Sequence, residues 1–157
     1  MSTRPLLFLD VDGVLNPYPE TPPGYTEHRF FPEDDEPVRL CAGHGDWLLE
    51  LTEAYEIVWA TAWGETANEL ICPVLGLSPL AVVPLPPAPF DPEQKLPAVV
   101  AFAGDRAVAW VDDVVTDAMR GWAAARPAPT LIVEVPPAAG LTRAVVDRLL
   151  SWPIVRG

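Results

Sequence analysis

The fold class of this 157-residue chain is decided by one stretch near its amino terminus, Leu6-Leu7-Phe8-Leu9-Asp10-Val11-Asp12-Gly13. Residues 6–9 form an apolar run, which is typical of a strand buried in a parallel sheet. The two aspartates that follow are two residues apart, so on an extended backbone their side chains point to the same side. Gly13 permits a sharp turn and lets an anion approach the backbone amides. The stretch therefore predicts a buried strand with an acidic site at its carboxyl end.

Strand-like and helix-like segments alternate along the rest of the chain. Further strands are predicted at 57–61, 81–83, 107–111 and 130–135, and helices at 46–54, 64–71, 92–103, 114–125 and 141–152. This order predicts an α/β, Rossmann-like fold with a parallel five-stranded sheet and helices on both faces. We expect a single domain over residues 1–157, since this length suits one domain better than two.

Residues 14–44 form an irregular segment that is rich in proline, glycine and acidic residues. We predict a long loop or flap there, with room for a short hairpin. Elsewhere, no apolar run approaches the roughly 18 residues of a membrane span, and the first run is too short for a secretory signal. We therefore expect a cytoplasmic protein. The formal net charge of −12 argues against an extended nucleic-acid-binding surface.

Polar residues follow three of the predicted strands. Asp10 and Asp12 follow the first strand, Thr61 ends the second, and Asp112 and Asp113 follow the fourth. Ligand sites of parallel sheets lie beyond the carboxyl ends of the strands, so we expect these side chains to converge. Carboxylates brought together repel one another unless a cation is present, and oxygen ligands select Mg²⁺. The four aspartates are therefore the candidate metal ligands.

These residue types suit phosphoryl transfer. One carboxylate can act as a nucleophile while its neighbour acts as general acid and base. The Thr61 hydroxyl and the Lys95 ammonium group are what a transferred phosphoryl group needs around it. Lys95 is the one lysine among ten lysine and arginine residues, and a lysine in a chain that otherwise uses arginine indicates a need for a compact ammonium group.

Four segments resemble the four motifs of the haloacid dehalogenase (HAD) superfamily. Residues 7–16 resemble its first motif, Thr61 the second, Lys95 the third, and 110–113, with Asp117 further on, the fourth. The order and approximate spacing of the motifs match and span most of the chain. Residues 60–64, 110–113 and 140–142 further resemble one branch of the superfamily, the HAD-type domains of Swiss-army-knife RNA repair proteins.

The resemblance implies a Mg²⁺-dependent phosphatase that forms an aspartyl-phosphate. It implies that Asp10 is the nucleophile and that Asp12 first protonates the leaving group and then activates water. Thr61 and Lys95 would bind phosphate oxygens. The aspartate at position 12 favours a phosphatase or phosphotransferase over a dehalogenase, because dehalogenases of the superfamily lack it.

The resemblance also implies a metal-ligand set and an open site. Mg²⁺ would be held by Asp10, the backbone carbonyl of Asp12 and Asp112, with Asp113 acting through water. The superfamily covers its site with inserted caps, but residues 14–44 are too short and proline-rich for a folded cap. We therefore expect a capless HAD fold, or one with a minimal flap, that is open to a large substrate.

The expected substrates are nucleotides or phosphorylated nucleic-acid ends, contacted by Gly13, Ala62 and Trp63. Trp63 could stack on a base, although packing is the default role of such a ring. Open alternatives are a small-metabolite or phosphoprotein phosphatase and a non-catalytic phosphate-sensing module. No obligate protein partner is evident. We also expect the acidic segment 33–36 to be a solvated loop, and 112–113 to be able to cap the helix predicted from 114.

Overall fold

A parallel sheet forms the centre of the structure, a computed structural model that describes residues 4–86 and 89–152. The strands are β1 (Leu6–Leu9), β2 (Thr26–His28), β3 (Val38–Leu40), β4 (Glu56–Trp59), β5 (Ala81–Val82), β6 (Val108–Asp112) and β7 (Thr130–Glu134). The α-helices are α1 (Gly43–Thr52), α2 (Cys72–Leu75), α3 (Lys95–Ala103), α4 (Asp117–Ala125) and α5 (Arg143–Ser151).

The main sheet has five strands in the order β5-β4-β1-β6-β7, and every neighbouring pair is parallel. β1 is the central strand, and all four of its residues are buried. Leu9 at its carboxyl end lies opposite Trp59 of β4 and Val111 of β6. The segments that follow β1, β4 and β6 therefore leave the sheet side by side. The predicted α/β class and five-stranded parallel sheet are confirmed.

Helices cover both faces of this sheet, as the sequence predicts. On one face, Leu7 and Leu9 pack in a core with residues of α1 and α5. On the other face, Phe8 packs in a second core with residues of α3 and α4. The alternation along β1 follows from the two-residue period of a strand, and full burial of each such side chain contributes about 1.5–3 kcal/mol. The indoles of Trp59 and Trp110 lie in opposite cores and are fully buried.

The helix predicted at 64–71 differs in type. A turn at 61–65 leads into a π-helix at Ala67–Ile71, which continues as α2. Pro73 has no amide hydrogen, so it cannot make the α-helical hydrogen bond one turn back. The side chain of Asn68 accepts hydrogen bonds from the Trp59 indole and the Leu80 amide, which ties the π-helix to the ends of β4 and β5.

The helix after β6 begins at Asp117, not at residue 114. Its cap is Thr116, whose hydroxyl accepts a hydrogen bond from the Met119 amide at 3.2 Å. Asp112 instead accepts a hydrogen bond from the Val114 amide, which turns the chain away from the strand. The prediction that 112–113 cap this helix is therefore wrong.

The segment between β1 and α1 contains the expected hairpin, formed by the antiparallel strands β2 and β3. The buried guanidinium of Arg39 ties it down by donating to the carbonyls of Pro17 and Pro19 and by pairing with Glu36 at 2.7 Å. Among the helices of the described residues, none is both long enough and apolar enough to cross a bilayer.

Candidate active site

Asp10 lies directly after β1, at the centre of the sheet edge where the carboxyl ends meet. Its side chain is buried, and Oδ1 accepts a hydrogen bond from the Val11 amide at 2.8 Å. Burial raises the pKa of Asp10 well above its usual value, and the nearby Asp112 carboxylate adds to this effect while Lys95 opposes it.

Lys95 reaches the same point from the other side of the pocket. It opens α3 after a short 3₁₀ turn that is capped by Asp91, whose side chain accepts from the Glu93 amide. Lys95 Nζ lies 2.7 Å from Asp112 Oδ2 and 3.5 Å from Asp10 Oδ2. The side chain is only 9 % exposed, so it is not a solvent-facing lysine. Burial lowers the pKa of Lys95, but the two carboxylates outweigh this effect and leave it raised.

Three carboxylates form a cluster that fits a divalent cation. Asp10, Asp112 and Asp113 each offer an oxygen within 4.8 Å of the others. Burial raises the pKa of Asp113 as well as that of Asp10, because the charged carboxylate form is costly to bury. A bound cation would offset this cost. An all-oxygen donor set is the one that Mg²⁺ prefers. The carboxylate of Asp12 is not part of the cluster, and neither is Asp117, which is exposed at the start of α4.

Gly13 is required by the close approach of Asp113. Its φ is +79°, and a Cβ placed there would lie 2.4 Å from Asp113 Cγ. The amide of Gly13 donates to the Asn16 carbonyl at 2.8 Å and closes the turn after the strand. Any other residue would therefore both strain the backbone and push Asp113 out of the cluster.

Asp12 lies at the mouth of the site with its carboxylate held by two donors. The Trp63 indole Nε1 lies 3.2 Å from Asp12 Oδ2, and Asn16 Nδ2 lies 2.9 Å from Asp12 Oδ1. The Trp63 backbone amide also donates to the Thr61 hydroxyl at 3.2 Å. Thr61 is buried, and a hydroxyl that accepts one hydrogen bond can still donate its hydrogen to a ligand.

Two adjoining cavities open around these residues. The smaller cavity has a volume of about 160 Å³ and is lined by Asp10, Thr61, Lys95, Asp112 and Asp113 among others. It is called the phosphate pocket after the group that Thr61 and Lys95 are expected to bind. The larger cavity, the acidic groove, has a volume of about 580 Å³ and is lined in part by Phe31, Asp34, Asp35, Glu36 and Trp63. Asp12 and Ala62 line both cavities, so the groove leads directly into the pocket.

Most of the predicted site residues line the phosphate pocket: Asp10, Asp12, Thr61, Ala62, Lys95, Asp112 and Asp113. Trp63 lines the groove instead, and Gly13 lies against the Asp113 side chain without lining either cavity. Two residues of the site were not predicted from the sequence: Tyr18, whose hydroxyl donates to Asp113 Oδ2 at 3.0 Å, and Phe31, which packs against Trp63. Burial raises the pKa of Tyr18 to about 12, and its bond to Asp113 contributes. Tyr18 and Asp113 are 95 positions apart, and no local pattern marks such a contact.

Trp110 also donates a hydrogen bond to the cluster, at Asp112. Its indole Nε1 lies 3.2 Å from Asp112 Oδ2, the same oxygen that Lys95 contacts. Asp112 Oδ1 accepts from the Val114 amide, so both carboxylate oxygens of this buried aspartate are hydrogen-bonded. This arrangement fixes the orientation of Asp112 before any ligand binds.

No curated protein and no solved structure matches the chain. The family described as "HAD domain in Swiss Army Knife RNA repair proteins" matches residues 6–146, a range that includes both cavities. This family suggests phosphatase-type function, and HAD domains typically use a divalent metal ion, for which the aspartate cluster is compatible. The fold, the aspartate cluster and this match agree, and the chain belongs to the HAD domain family of Swiss Army Knife RNA repair proteins.

Proposed function

We propose that the chain is a Mg²⁺-dependent phosphatase that hydrolyses phosphomonoesters through an aspartyl-phosphate on Asp10. The observation that carries the proposal is the meeting of Asp10, Lys95 and two further carboxylates at one small pocket. A volume of about 160 Å³ is below the roughly 300 Å³ at which sites for whole small molecules begin, so the pocket suits a phosphate group.

In the first step, the Asp10 carboxylate attacks phosphorus and the bond from phosphorus to the leaving oxygen breaks. The bond between Oδ1 and the Val11 amide fixes the orientation of the carboxylate for this attack. Asp12 donates a proton to the leaving oxygen, so that an alcohol departs. Lys95 and the Thr61 hydroxyl hold the equatorial oxygens of the phosphoryl group.

In the second step, water attacks the phosphorus of the aspartyl-phosphate. Asp12, now a carboxylate, takes a proton from that water, and the bond between phosphorus and Asp10 breaks. Inorganic phosphate leaves, and both aspartates return to their starting forms. The position of Asp12 at the junction of the two cavities supports this double role, because it borders both the phosphate pocket and the path of the leaving group.

Asp10, Asp112 and Asp113 would hold the Mg²⁺ ion. When bound, the ion would neutralise charge on the phosphate oxygens and orient them for attack. Tyr18 and Trp110 donate to Asp113 and Asp112, respectively, and so hold these ligands in place.

Nucleotides or phosphorylated nucleic-acid ends are the proposed substrates. The family match supports this class, since its members occur in RNA repair proteins. The paired aromatic rings of Phe31 and Trp63 beside the phosphate pocket also support it. A non-catalytic phosphate-sensing module is disfavoured, since Asp12 adds an acid–base group that phosphate sensing does not require.

The test is hydrolysis of p-nitrophenyl phosphate by wild type and by Asp10→Asn, with Mg²⁺ and with a chelator. We expect Asp10→Asn or chelation to lower the rate by about 10³-fold or more. Intact-mass measurement of acid-quenched wild type should show a phosphorylated species that Asp10→Asn lacks. The matched control is Asp105→Asn, since Asp105 is exposed and precedes β6, at the opposite end of the sheet. Equal turnover by Asp10→Asn and Asp105→Asn would refute the assignment of the nucleophile.

A further inference from the structure

The acidic groove is far larger than the phosphate pocket that it adjoins. Its volume of about 580 Å³ lies within the range of about 300–1,000 Å³ that is typical of small-molecule sites. Asp12 and Ala62 line both cavities, so a phosphate group bound beside Asp10 would direct the rest of its molecule towards the groove. The groove is therefore placed where the leaving group of a phosphomonoester must lie.

One wall of the groove is aromatic. The rings of Phe31 and Trp63 lie 5.3 Å apart between centroids, at an interplanar angle of 62°. Both residues are only partly buried, so part of each ring is accessible. An accessible ring at a site of this size suits stacking with a flat ring. A small ammonium group would also contact such rings but would leave most of this volume unfilled.

The rim of the groove is acidic. Glu36 is paired with Arg39, whereas the ion pairs among the described residues include neither Asp34 nor Asp35. Both aspartates are exposed, and the residues that line the groove include no basic side chain in the described parts of the chain. A second phosphate on the ligand would face uncompensated negative charge. Amino and hydroxyl groups, by contrast, would find carboxylate oxygens as hydrogen-bond acceptors.

We propose that the acidic groove is the leaving-group subsite and that it selects a nucleoside-sized group with a flat, donor-bearing ring and no second phosphate. The inference rests on the proposed function and narrows it to nucleoside monophosphates. Polyphosphorylated nucleotides and long phosphorylated strands, which bring further phosphates to the rim, are disfavoured. Stacking on the aromatic wall would supply the affinity for the flat ring, and the carboxylates of Asp34 and Asp35 would repel ligands that carry a second phosphate.

The first experiment measures binding without catalysis. Adenosine is titrated into wild type, and the indole N–H signal of Trp63 is followed by NMR, with Trp63→Phe used to assign it. We expect Phe31→Ala to weaken adenosine binding about 5- to 150-fold, which is the range for loss of a stacking partner. Phe31→Leu keeps an apolar side chain against the core and should weaken binding in the same way, even if Phe31→Ala does not fold. Adenosine binding that is absent in wild type, or unchanged in Phe31→Leu, would overturn the proposal.

The second experiment measures discrimination against a second phosphate. The ratio of kcat/KM for adenosine 3′-monophosphate to that for adenosine 3′,5′-bisphosphate is compared between wild type and D34N/D35N. We expect the ratio to fall about 4-fold, as for two exposed carboxylates that face a dianion across roughly 8 Å of screened solvent. The matched control is E53Q/E69Q, which removes two exposed charges outside the groove and should leave the ratio unchanged. Equal changes in both double variants would contradict the assignment.

Glycerol phosphate, phosphocholine and a phosphorylated oligonucleotide serve as further substrates, and they show which part of the proposal fails if adenosine 3′-monophosphate is not preferred. Hydrolysis of p-nitrophenyl phosphate without any preference for the adenosine monophosphate over glycerol phosphate would refute the subsite but leave the proposed function intact. A preference for phosphocholine would show that the groove selects a cation instead. A 3′-phosphorylated tetranucleotide that is hydrolysed faster than adenosine 3′-monophosphate would show that a strand end is preferred. Failure to hydrolyse any phosphomonoester would refute the proposed function and with it the role of the groove as a leaving-group subsite, while adenosine binding would still show whether the groove accepts a nucleoside.

Discussion

Replacement of Lys95 by methionine should destabilise the metal-free protein by about 3–5 kcal/mol. Lys95 Nζ lies 2.7 Å from Asp112 Oδ2 and 3.5 Å from Asp10 Oδ2. With an effective dielectric constant of about 20, these two attractions are worth about 6 and about 5 kcal/mol. Burial of the ammonium group costs several kcal/mol, and this offsets part of the attraction. The attraction that remains after this cost is consistent with the loss of about 3–5 kcal/mol that follows when one partner of a buried ion pair is removed.

This loss can be measured by urea or thermal unfolding in a chelator at neutral pH. For a chain of this length it corresponds to a decrease in Tm of roughly 6–20 °C. The matched control is Arg120→Met, which breaks an ion pair with Glu134 whose side chains are 53 % and 49 % exposed. Such exposed pairs contribute about 0–1 kcal/mol, so this variant should unfold close to wild type.

Addition of Mg²⁺ should change the stability of Lys95→Met more than that of wild type. The ammonium group of Lys95 pairs with Asp112, a candidate metal ligand. Replacing Lys95 therefore leaves the carboxylate cluster more negative. We expect millimolar Mg²⁺ to raise the Tm of Lys95→Met more than that of wild type, because the ion binds the folded state more tightly. A metal-free Lys95→Met variant as stable as wild type, with the same response to Mg²⁺, would refute the buried ion pair.

Two further predictions concern residues beside the cluster and in the core. Tyr18→Phe removes the hydroxyl that donates to Asp113 at 3.0 Å, so we expect Mg²⁺ affinity to fall about 10-fold in calorimetric titrations, with the fold unchanged by circular dichroism; unchanged affinity would contradict the orienting role. Burial lowers the pKa of His44, so the unfolded chain takes up a proton below about pH 6.5 that the folded chain resists. Stability is therefore lost as the pH falls, and His44→Gln should lose less stability than wild type between pH 7 and 5.5 in urea unfolding; parallel losses would contradict this reasoning.

The architecture could be predicted because its signals are local. Each buried strand appears in the sequence as an apolar run, and the polar residues after it mark its carboxyl end. The observed β1, at Leu6–Leu9, matches the prediction, and β6 and β7 begin or end within one residue of theirs. The π-helix at Ala67–Ile71 could not be predicted, because it depends on tertiary hydrogen bonds of Asn68 with Trp59 and Leu80.

Most residues of the site could be predicted from the sequence, but their contacts could not. Parallel topology alone places the residues after β1, β4 and β6 at one edge, which is why Asp10, Thr61 and Asp112 were identified. Which atoms touch was not predictable. The bond between Tyr18 and Asp113 and the bond between the Trp63 indole and Asp12 join segments that are remote in sequence. Such contacts depend on the path of the loops, for which the sequence carries no periodic signal.

The charges of the phosphate pocket and of the acidic groove favour the same kind of substrate. The clustered carboxylates of Asp10, Asp112 and Asp113, together with the ammonium group of Lys95, carry two formal negative charges, which one divalent cation would balance. A phosphate dianion that enters would then restore the negative charge, so the site has no excess positive charge with which to attract a polyanion. Asp34 and Asp35, which belong to no ion pair within residues 4–86 and 89–152, extend the negative potential along the route that the leaving group takes. A substrate that carries its charge on a single phosphate meets the least repulsion, and this electrostatic reason for favouring a monophosphate is independent of the aromatic wall.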